Sequence, residues 1–266
     1  MTEQELKDLV DGFLPIALAG GKVIMDIYQS DFAIKAKDDR SPVTEADEKA
    51  EKVILDQLTA LCPEIPVVAE ESVAAGQVPD ISGGTFILVD PLDGTREFIK
   101  RNGEFTVNIA LVVDGVPVGG VVHLPALDQT YWAAGPGHAW RQDGENAPVA
   151  ISCRQPGTAG LVAVASRSHR DSATDDYLAD FTIAELISAG SSLKLCRVAE
   201  GAADMYPRLG RTMEWDIAAG QAVLLGAGGS VTIIPGGDVA GDVGQPLGYA
   251  KPGFENPHFV ARGLGA

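Results

Sequence analysis

Two stretches near the start of the chain repeat apolar residues at the spacing of an amphipathic helix. The first covers residues 3–28, where Pro15 either kinks one helix or begins a second. The second covers residues 44–62, where Thr44 can cap the helix and the acid Asp47 follows in its first turn. Each pattern predicts a helix that buries one face against the rest of the protein.

Short apolar runs separated by turn residues predict strands in the middle of the chain. These runs occupy residues 66–69, 85–89, 106–113, 116–122, 130–134 and 138–141. Asp114-Gly115 separates two of them and predicts a tight hairpin, because this dipeptide accepts the left-handed backbone of such turns. The first half is therefore predicted to be α+β, with helices packed on an antiparallel sheet.

The second half alternates the two kinds of pattern. Strands are predicted at residues 161–165, 182–187 and 231–234, and helices at 171–180, 190–200 and 214–225. This alternation favours an α/β arrangement, so the fold class of the whole chain is predicted to be α/β. The change of character around Gln155-Pro156-Gly157 places a subdomain boundary there and predicts subdomains at 1–155 and 156–266.

Composition and charge limit the classes of function. The chain has 266 residues and a net charge of −17, which argues against a nucleic-acid polymer as partner, because such partners need a basic face. We expect no secretory leader and no membrane span, since no apolar stretch reaches the roughly 20 residues that a span requires. Cys62, Cys153 and Cys196 are odd in number and lack CxxC spacing, which favours reduced thiols in a cytoplasmic protein.

Four acids stand beside apolar runs, where a carboxylate is costly to bury unless it is paired or binds a metal. Glu70 follows the run at 66–69, Asp90 and Asp93 follow the run at 85–89, and Asp216 begins an otherwise apolar helix. An acidic, capped turn is the alternative interpretation of the Asp90–Asp93 segment.

The candidate ligands are all oxygens, and the chain lacks the His and Cys patterns that zinc prefers. Oxygen ligands favour Mg²⁺, with Mn²⁺ as an alternative. Two or three such ions would neutralise the acids, polarise a phosphoryl oxygen and generate a nucleophile from water. The sequence therefore predicts a metal-dependent phosphomonoesterase that binds an anionic substrate through its metals.

Three motifs then resemble the signatures of the inositol monophosphatase superfamily, in the same order along the chain. They lie at residues 70–72, 90–95 and 215–220. The resemblance implies an αβαβα layered sandwich. It also implies lithium-sensitive, Mg²⁺-dependent phosphate hydrolysis by in-line attack of water, without a phosphoenzyme.

The resemblance also implies which residues hold the metals. Glu70, Asp90 and the carbonyl oxygen of Leu92 would hold one ion, and Asp90, Asp93 and Asp216 would hold a second. These positions are the metal ligands expected from the family pattern.

The resemblance assigns the remaining catalytic roles to residues in or near the same motifs. A third, weaker metal would lie near Glu70 and Asp47, and Gly94 and Thr95 would bind the phosphate. The attacking water would be oriented by Thr95 with Asp47, or by Glu70. Independently of the family, Gly94 allows close backbone approach, and Thr95 offers a hydroxyl where a helix can begin.

Four longer segments resemble the bacterial CysQ branch of 3′(2′),5′-bisphosphate nucleotidases. They lie at residues 93–111, 166–169, 190–194 and 206–210. This branch implies hydrolysis of 3′-phosphoadenosine 5′-phosphate (PAP) to AMP and phosphate, which clears a by-product of sulfate assimilation.

The residue chemistry supports a substrate with a second phosphate. Ser191, Ser192 and Lys194 suit a phosphate or a ribose hydroxyl at a helix start, the alternative being a serine cap with an exposed lysine. Arg208 stands where the inositol branch carries a glutamate that binds ring hydroxyls, and arginine prefers an anion. A surface arginine is the alternative. His169 is either a base-stacking residue or a surface loop histidine.

The complete set of predicted substrate-binding residues combines both groups. It consists of Glu70, Leu92, Asp93, Gly94, Thr95, Ser191, Ser192, Lys194, Arg208 and Asp216.

Two residues depart from the CysQ pattern. Arg96 replaces an expected lysine, and Glu214 is either a further acid beside the metals or a solvent-facing residue at a helix start. An inositol-1-phosphate phosphatase is the alternative activity, and a non-catalytic, metal-responsive binding protein is the alternative class. A homodimer and peripheral attachment to the inner face of the membrane stay open.

Overall fold

The computed structural model describes residues 1–29, 34–36, 42–167 and 172–266, with backbone alone for 34–36 and 42–44. Helix α1 spans Glu3–Tyr28 and begins with a capping box between Thr2 and Glu5. Pro15 lies inside this single helix, so the predicted second helix does not form. Helix α2 spans Glu45–Leu61, as its apolar periodicity predicts.

A seven-stranded sheet occupies the first half of the chain. Its strands are β3 (Val67–Ala69), β4 (Thr85–Asp93), β5 (Thr106–Val113), β6 (Val116–Leu124), β7 (Gln129–Ala134), β8 (Ala139–Asp143) and β9 (Val149–Ala150). They lie in sequence order; β3 is parallel to β4, and every other pair is antiparallel. The predicted hairpin is confirmed, with φ of 49° at Asp114 and 77° at Gly115.

Three short elements complete the first half. A two-stranded ribbon joins β1 (Ile34–Ala36) to β2 (Pro42–Thr44), and two five-residue helices, α3 (Glu70–Ala74) and α4 (Thr95–Ile99), follow β3 and β4. Neither short helix is predicted by the apolar pattern. The predicted Thr44 cap concerns a side chain outside the described part of the chain.

A five-stranded sheet and three helices form the second half. The elements are β10 (Leu161–Ser166), α5 (Ser172–Leu178), β11 (Ile183–Ala189), α6 (Leu193–Ala199), β12 (Met205–Arg208), α7 (Glu214–Gly226), β13 (Ser230–Ile233) and β14 (Phe259–Arg262), with a 3₁₀ turn at Pro252–Phe254. The sheet order is β11-β10-β12-β14-β13. Strand β10 is parallel to β11 and β12, and β14 is antiparallel to both of its neighbours.

Alternating side chains bury both faces of each sheet. In β4, Ile87 and Val89 pack with α1 and α2, whereas Phe86 and Leu88 join a core shared with α6 and α7. In β12, Tyr206 faces that same shared core, and Met205 faces α5. The layers are therefore α1 and α2, the large sheet, α6 and α7, the small sheet, and α5, which confirms the predicted α/β class and αβαβα sandwich.

Helix α7 belongs to the predicted second subdomain but packs on the first sheet. An added Cβ at Gly120 on β6 would lie 3.1 Å from the Cα of Ala219, so the absence of a side chain at Gly120 favours the close approach of α7 to the sheet. The boundary near residues 150–160 stays a prediction. Within the described ranges, no helix combines the length and the apolar composition of a membrane span.

The predicted end of strand β4 is wrong. The strand expected to end before Pro91 continues to Asp93, with a register shift between Asp90, opposite Asn108, and Asp93, opposite Thr106. Pro91 is accommodated because this irregularity interrupts the ladder where its missing N–H would otherwise be needed. The bulge places two acids at the end of one buried strand.

Candidate active site

Three acids from separate elements meet at one point. Glu70 begins α3 directly after β3, Asp90 lies in β4, and Asp216 lies in the first turn of α7. A carboxylate oxygen from each lies within 4.8 Å of the others. Three of the four acids that the sequence singles out therefore converge, and their all-oxygen donor set fits a hard divalent cation. Asp93 lies outside this group of three, and its charge contributes to the raised pKa values of Asp90 and Asp216.

Burial and mutual repulsion make this acidic cluster costly without a cation. Asp90 is 1% exposed, and burial, followed by the charges of Glu70, Asp93, Asp216 and Asp47, raises its pKa well above the usual value. Burial, with Asp93 and Glu70, likewise raises the pKa of Asp216 to about 8. A bound cation would reverse both effects, because it favours the ionised carboxylates.

Hydrogen bonds fix the individual acids. The Leu92 N–H donates to Asp90 Oδ1 at 3.0 Å, and the Met213 N–H donates to Asp216 Oδ2 at 2.8 Å. The Ser192 hydroxyl lies 3.0 Å from Asp93 Oδ2 and 2.7 Å from the carbonyl oxygen of Asp216. Ser192 thus links α6 to an acid on each of two other elements.

The cluster lines a cavity of about 240 Å³. Leu92, Gly94, Thr95 and Arg96 line the same cavity. Gly94 has φ of 93°, and an added Cβ would meet the Ser191 Cβ at 3.2 Å, so this position requires glycine. The predicted phosphate-binding residues thus adjoin the acids, and their contact with phosphate stays a prediction.

Cationic side chains line the same cavity. Lys194 is 6% exposed, and burial lowers its pKa to about 8, although Asp93 opposes this shift. Its Nζ donates to the Ser191 carbonyl and lies 5.4 Å from the centre of the Tyr206 ring. An exposed lysine is therefore the wrong alternative. A serine cap is also wrong, since the Ser192 side chain makes no cap hydrogen bond.

Arg208, at the end of β12, also lines the cavity. Its Nη2 donates to the Arg211 carbonyl at 2.9 Å. Its buried Nε has no hydrogen-bond partner among the described residues, which leaves a donor for an anion. His169 lies outside the described residues.

The predicted catalytic acid Asp47 lies on the buried face of α2, 2% exposed, and its charge contributes to the raised pKa of Asp90. Thr95 begins α4 on the cavity wall. The predicted water-orienting residues thus come from elements that surround the acids.

Three further acids bind backbone N–H groups near the site. The sequence does not predict a role for Glu51 or Glu104, and it predicts the wrong role for Glu214. Glu214 is fully buried and binds the Ala250 and Lys251 N–H groups and the Lys251 ammonium group, so neither predicted role for it is right. Glu51 and Glu104 hold the backbone beside the site. Only Glu51 carries a sequence signal, because it lies one helical turn after Asp47 on the apolar face of α2.

Comparison with known proteins agrees with this geometry. The sequence model of the inositol monophosphatase family matches residues 6–259. The chain belongs to the inositol monophosphatase family. The match includes all three motifs and every acid of the candidate site, which confirms the resemblance of the motifs.

Individual members of the family are also similar over nearly the whole chain. A 3′(2′),5′-bisphosphate nucleotidase CysQ from Escherichia coli K12 is 42% identical over 94% of this chain and 98% of its own. The protein of the same name from Salmonella typhimurium LT2 is 46% identical over 81% of this chain and 87% of its own. The crystal structure of CysQ from Bacteroides thetaiotaomicron matches with a TM-score of 0.78 and 38% identity, covering 96% of this chain and 97% of that one.

Proposed function

We propose that this protein is a 3′(2′),5′-bisphosphate nucleotidase that hydrolyses PAP to AMP and phosphate. Its similarity to the CysQ proteins supports this assignment. The observation that carries it is the pairing of an acidic cluster with a cationic wall in one cavity. Lys194 and Arg208 provide that wall in a chain whose net charge is −17. A substrate with two phosphates would place one at the acids and the other at the wall.

We infer that the cation is Mg²⁺, in two or three sites, with Mn²⁺ as an alternative. The ligands would be Glu70, Asp90, the Leu92 carbonyl, Asp93 and Asp216, all of which are oxygen donors. Such a cation polarises a phosphoryl oxygen and lowers the pKa of water. This set is supported by the convergence of Glu70, Asp90 and Asp216 and by the raised pKa of Asp90, which burial and the neighbouring acids cause.

Residues in and around the cavity would orient the attacking water and bind the two phosphates. Thr95 with Asp47, or Glu70, would orient the attacking water, and Gly94 and Thr95 would bind the phosphate that is released. Lys194 and Arg208 would hold the second phosphate, and Ser191 and Ser192 would support that wall through their contacts with Glu104 and Asp93. Correct orientation of water and phosphate is a large part of phosphoryl-transfer catalysis.

An inositol-1-phosphate phosphatase is the second candidate, because the family is named for that activity. Arg208 favours the nucleotidase, since a guanidinium group prefers a phosphate to a ring hydroxyl. A non-catalytic binding protein is disfavoured, because every acid of the predicted metal site is retained. The cytoplasmic location is a prediction from the cysteine pattern. The link to sulfate assimilation, the homodimer and the peripheral membrane contact are predictions from the resemblance.

Chelation followed by metal replacement tests the assignment. Metal-free protein should release no phosphate from PAP, and Mg²⁺ should restore release of phosphate and AMP. Asp93→Asn should lower kcat by about 1000-fold, because metal stabilisation of the transition state amounts to several kcal/mol. Unchanged turnover in that variant, with the fold intact by circular dichroism, would refute the metal site. Failure of Mg²⁺ to restore PAP hydrolysis would refute the function.

A further inference from the structure

Glu51 is a buried carboxylate whose hydrogen bonds, within the described part of the chain, all come from helix α3. It is 5% exposed and lies on the inner face of α2. Its Oε2 accepts the Glu71 N–H at 2.7 Å, and its Oε1 accepts the Ser72 N–H at 2.8 Å and the Ser72 hydroxyl at 2.7 Å. Three donors on two adjacent residues thus converge on one side chain from another helix.

These contacts supply the cap that α3 lacks. The helix begins at Glu70 after Ala69, whose methyl group cannot accept a hydrogen bond. The first N–H groups of a helix have no partner within it, and a side chain usually accepts those of the second and third residues. Glu71 and Ser72 are the second and third residues of α3, and Glu51 takes both.

The cap also fixes the position of Glu70, the first residue of α3. Glu70 precedes Glu71 directly, and its carboxylate is one of the three that converge with Asp90 and Asp216. Both Glu51 oxygens accept hydrogen bonds from α3, so we infer that Glu51 affects this cluster through the position of Glu70. Asp47 lies one turn earlier on the same face of α2, so one helix carries both Asp47 and the support for Glu70.

We propose that Glu51 is a positioning residue for the metal site, which sets the affinity for the divalent cation by holding α3 and hence Glu70 in place. The inference rests on the proposed metal-dependent function. It also gives a role to Glu71 and Ser72 of the family motif, whose two N–H groups and one hydroxyl group donate to Glu51.

The substitution Glu51→Gln tests this role with little change of shape. The amide oxygen can still accept, but the amide nitrogen faces an N–H group that it cannot bind. Calorimetric titration of the metal-free protein with Mg²⁺ should show affinity about 10- to 100-fold weaker, the usual effect of removing a group that orients a metal ligand. The KM for PAP should stay within about two-fold, because the cationic wall is untouched.

Two companion variants separate positioning from general stability. Ser72→Ala removes only the hydroxyl contact and should weaken Mg²⁺ binding less than Glu51→Gln does. Asp56→Asn breaks the exposed contact with Lys52 on the same helix and should leave Mg²⁺ binding unchanged. The increase of the unfolding temperature on adding Mg²⁺ should be smaller in Glu51→Gln than in Asp56→Asn.

The possible results bear on different claims. Wild-type Mg²⁺ affinity in Glu51→Gln, or a lower unfolding temperature with an unchanged Mg²⁺-induced increase, would overturn the positioning role and leave the proposed function standing. If Glu51→Gln does not fold, wild-type Mg²⁺ affinity in Ser72→Ala would overturn it. Mg²⁺ binding without PAP hydrolysis by the wild-type protein would refute the proposed substrate, and the calorimetric comparison would still decide the role of Glu51.

Discussion

The Glu104 carboxylate holds the Arg167 guanidinium group through two hydrogen bonds, from Nε at 2.8 Å and from Nη2 at 2.9 Å. The same carboxylate accepts the Gly190 N–H at 2.8 Å, and the Glu104 carbonyl accepts the Ser191 hydroxyl. Glu104 precedes β5, Arg167 follows β10, and Gly190 precedes α6. One residue therefore joins three connections around the cavity and supports the wall that carries Lys194.

Glu104→Gln should raise the KM for PAP by about five-fold. The neutral amide weakens the charge-assisted hydrogen bonds with Arg167, which is partly exposed, so the segment that carries Lys194 is held less firmly. The Mg²⁺ concentration for half-maximal activity should not change, since the acids are not contacted. Steady-state kinetics with each ligand varied in turn measures both quantities. Asp56→Asn serves as the surface control. An unchanged KM with altered Mg²⁺ dependence would contradict the role given to Glu104.

Asp90→Asn should distinguish the effect of the acidic cluster on the stability of the metal-free protein from its effect on Mg²⁺ binding. Four neighbouring acids and burial disfavour the Asp90 charge, so the metal-free variant should unfold at a temperature at least as high as the wild-type protein. Saturating Mg²⁺ should stabilise the wild-type protein by about 2.7 kcal/mol at 100-fold excess over Kd, and the variant far less. Calorimetric melts with and without Mg²⁺ check this. Equal stabilisation of both proteins would contradict Asp90 as a ligand.

His123 should make the protein less stable as the pH falls. It is 4% exposed on β6, and burial lowers its pKa to about 4, from an ordinary value of 6.5. Between these values the unfolded chain binds a proton that the folded protein does not. Stability attributable to His123 is therefore present above about pH 6.5 and falls towards pH 4, by up to about 3 kcal/mol.

Urea unfolding of the wild-type protein and of His123→Asn checks this effect. The difference in unfolding free energy between the two should shrink as the pH decreases from about 7 to about 4.5. Asn146→Ala, at an exposed position without a titrating group, is the control and should show no such trend. A pH-independent difference for His123→Asn would mean that the burial of this imidazole does not set its protonation.

Local patterns were sufficient for most elements and for the three acids, Glu70, Asp90 and Asp216, that the structure brings together. The periodicity of α1 and the Asp114-Gly115 turn are local properties, and the structure agrees with both. Strand β12 was missed because Pro207 and Arg208 interrupt a four-residue run. Pro91 predicts an early end for strand β4, whereas the bulge accommodates this proline and the strand continues to Asp93.

The contacts of buried acids could not be predicted in the same way. Glu51 and Glu104 bind backbone groups 20 and 86 residues away, and no periodicity encodes such partners. Glu214 shows the same limit, since its partners at Ala250 and Lys251 are set by how the chain returns across α7. Residue type therefore indicated the chemistry, and the fold determined which acids support the site.

The comparison of PAP with inositol 1-phosphate tests the central claim most directly. Both substrates are measured as kcat/KM with saturating Mg²⁺ on the same preparation. The cationic wall of Lys194 and Arg208 should favour PAP by about 100-fold or more, since a charged contact with the second phosphate contributes about 3 kcal/mol. An equal or higher kcat/KM for inositol 1-phosphate would contradict the nucleotidase assignment.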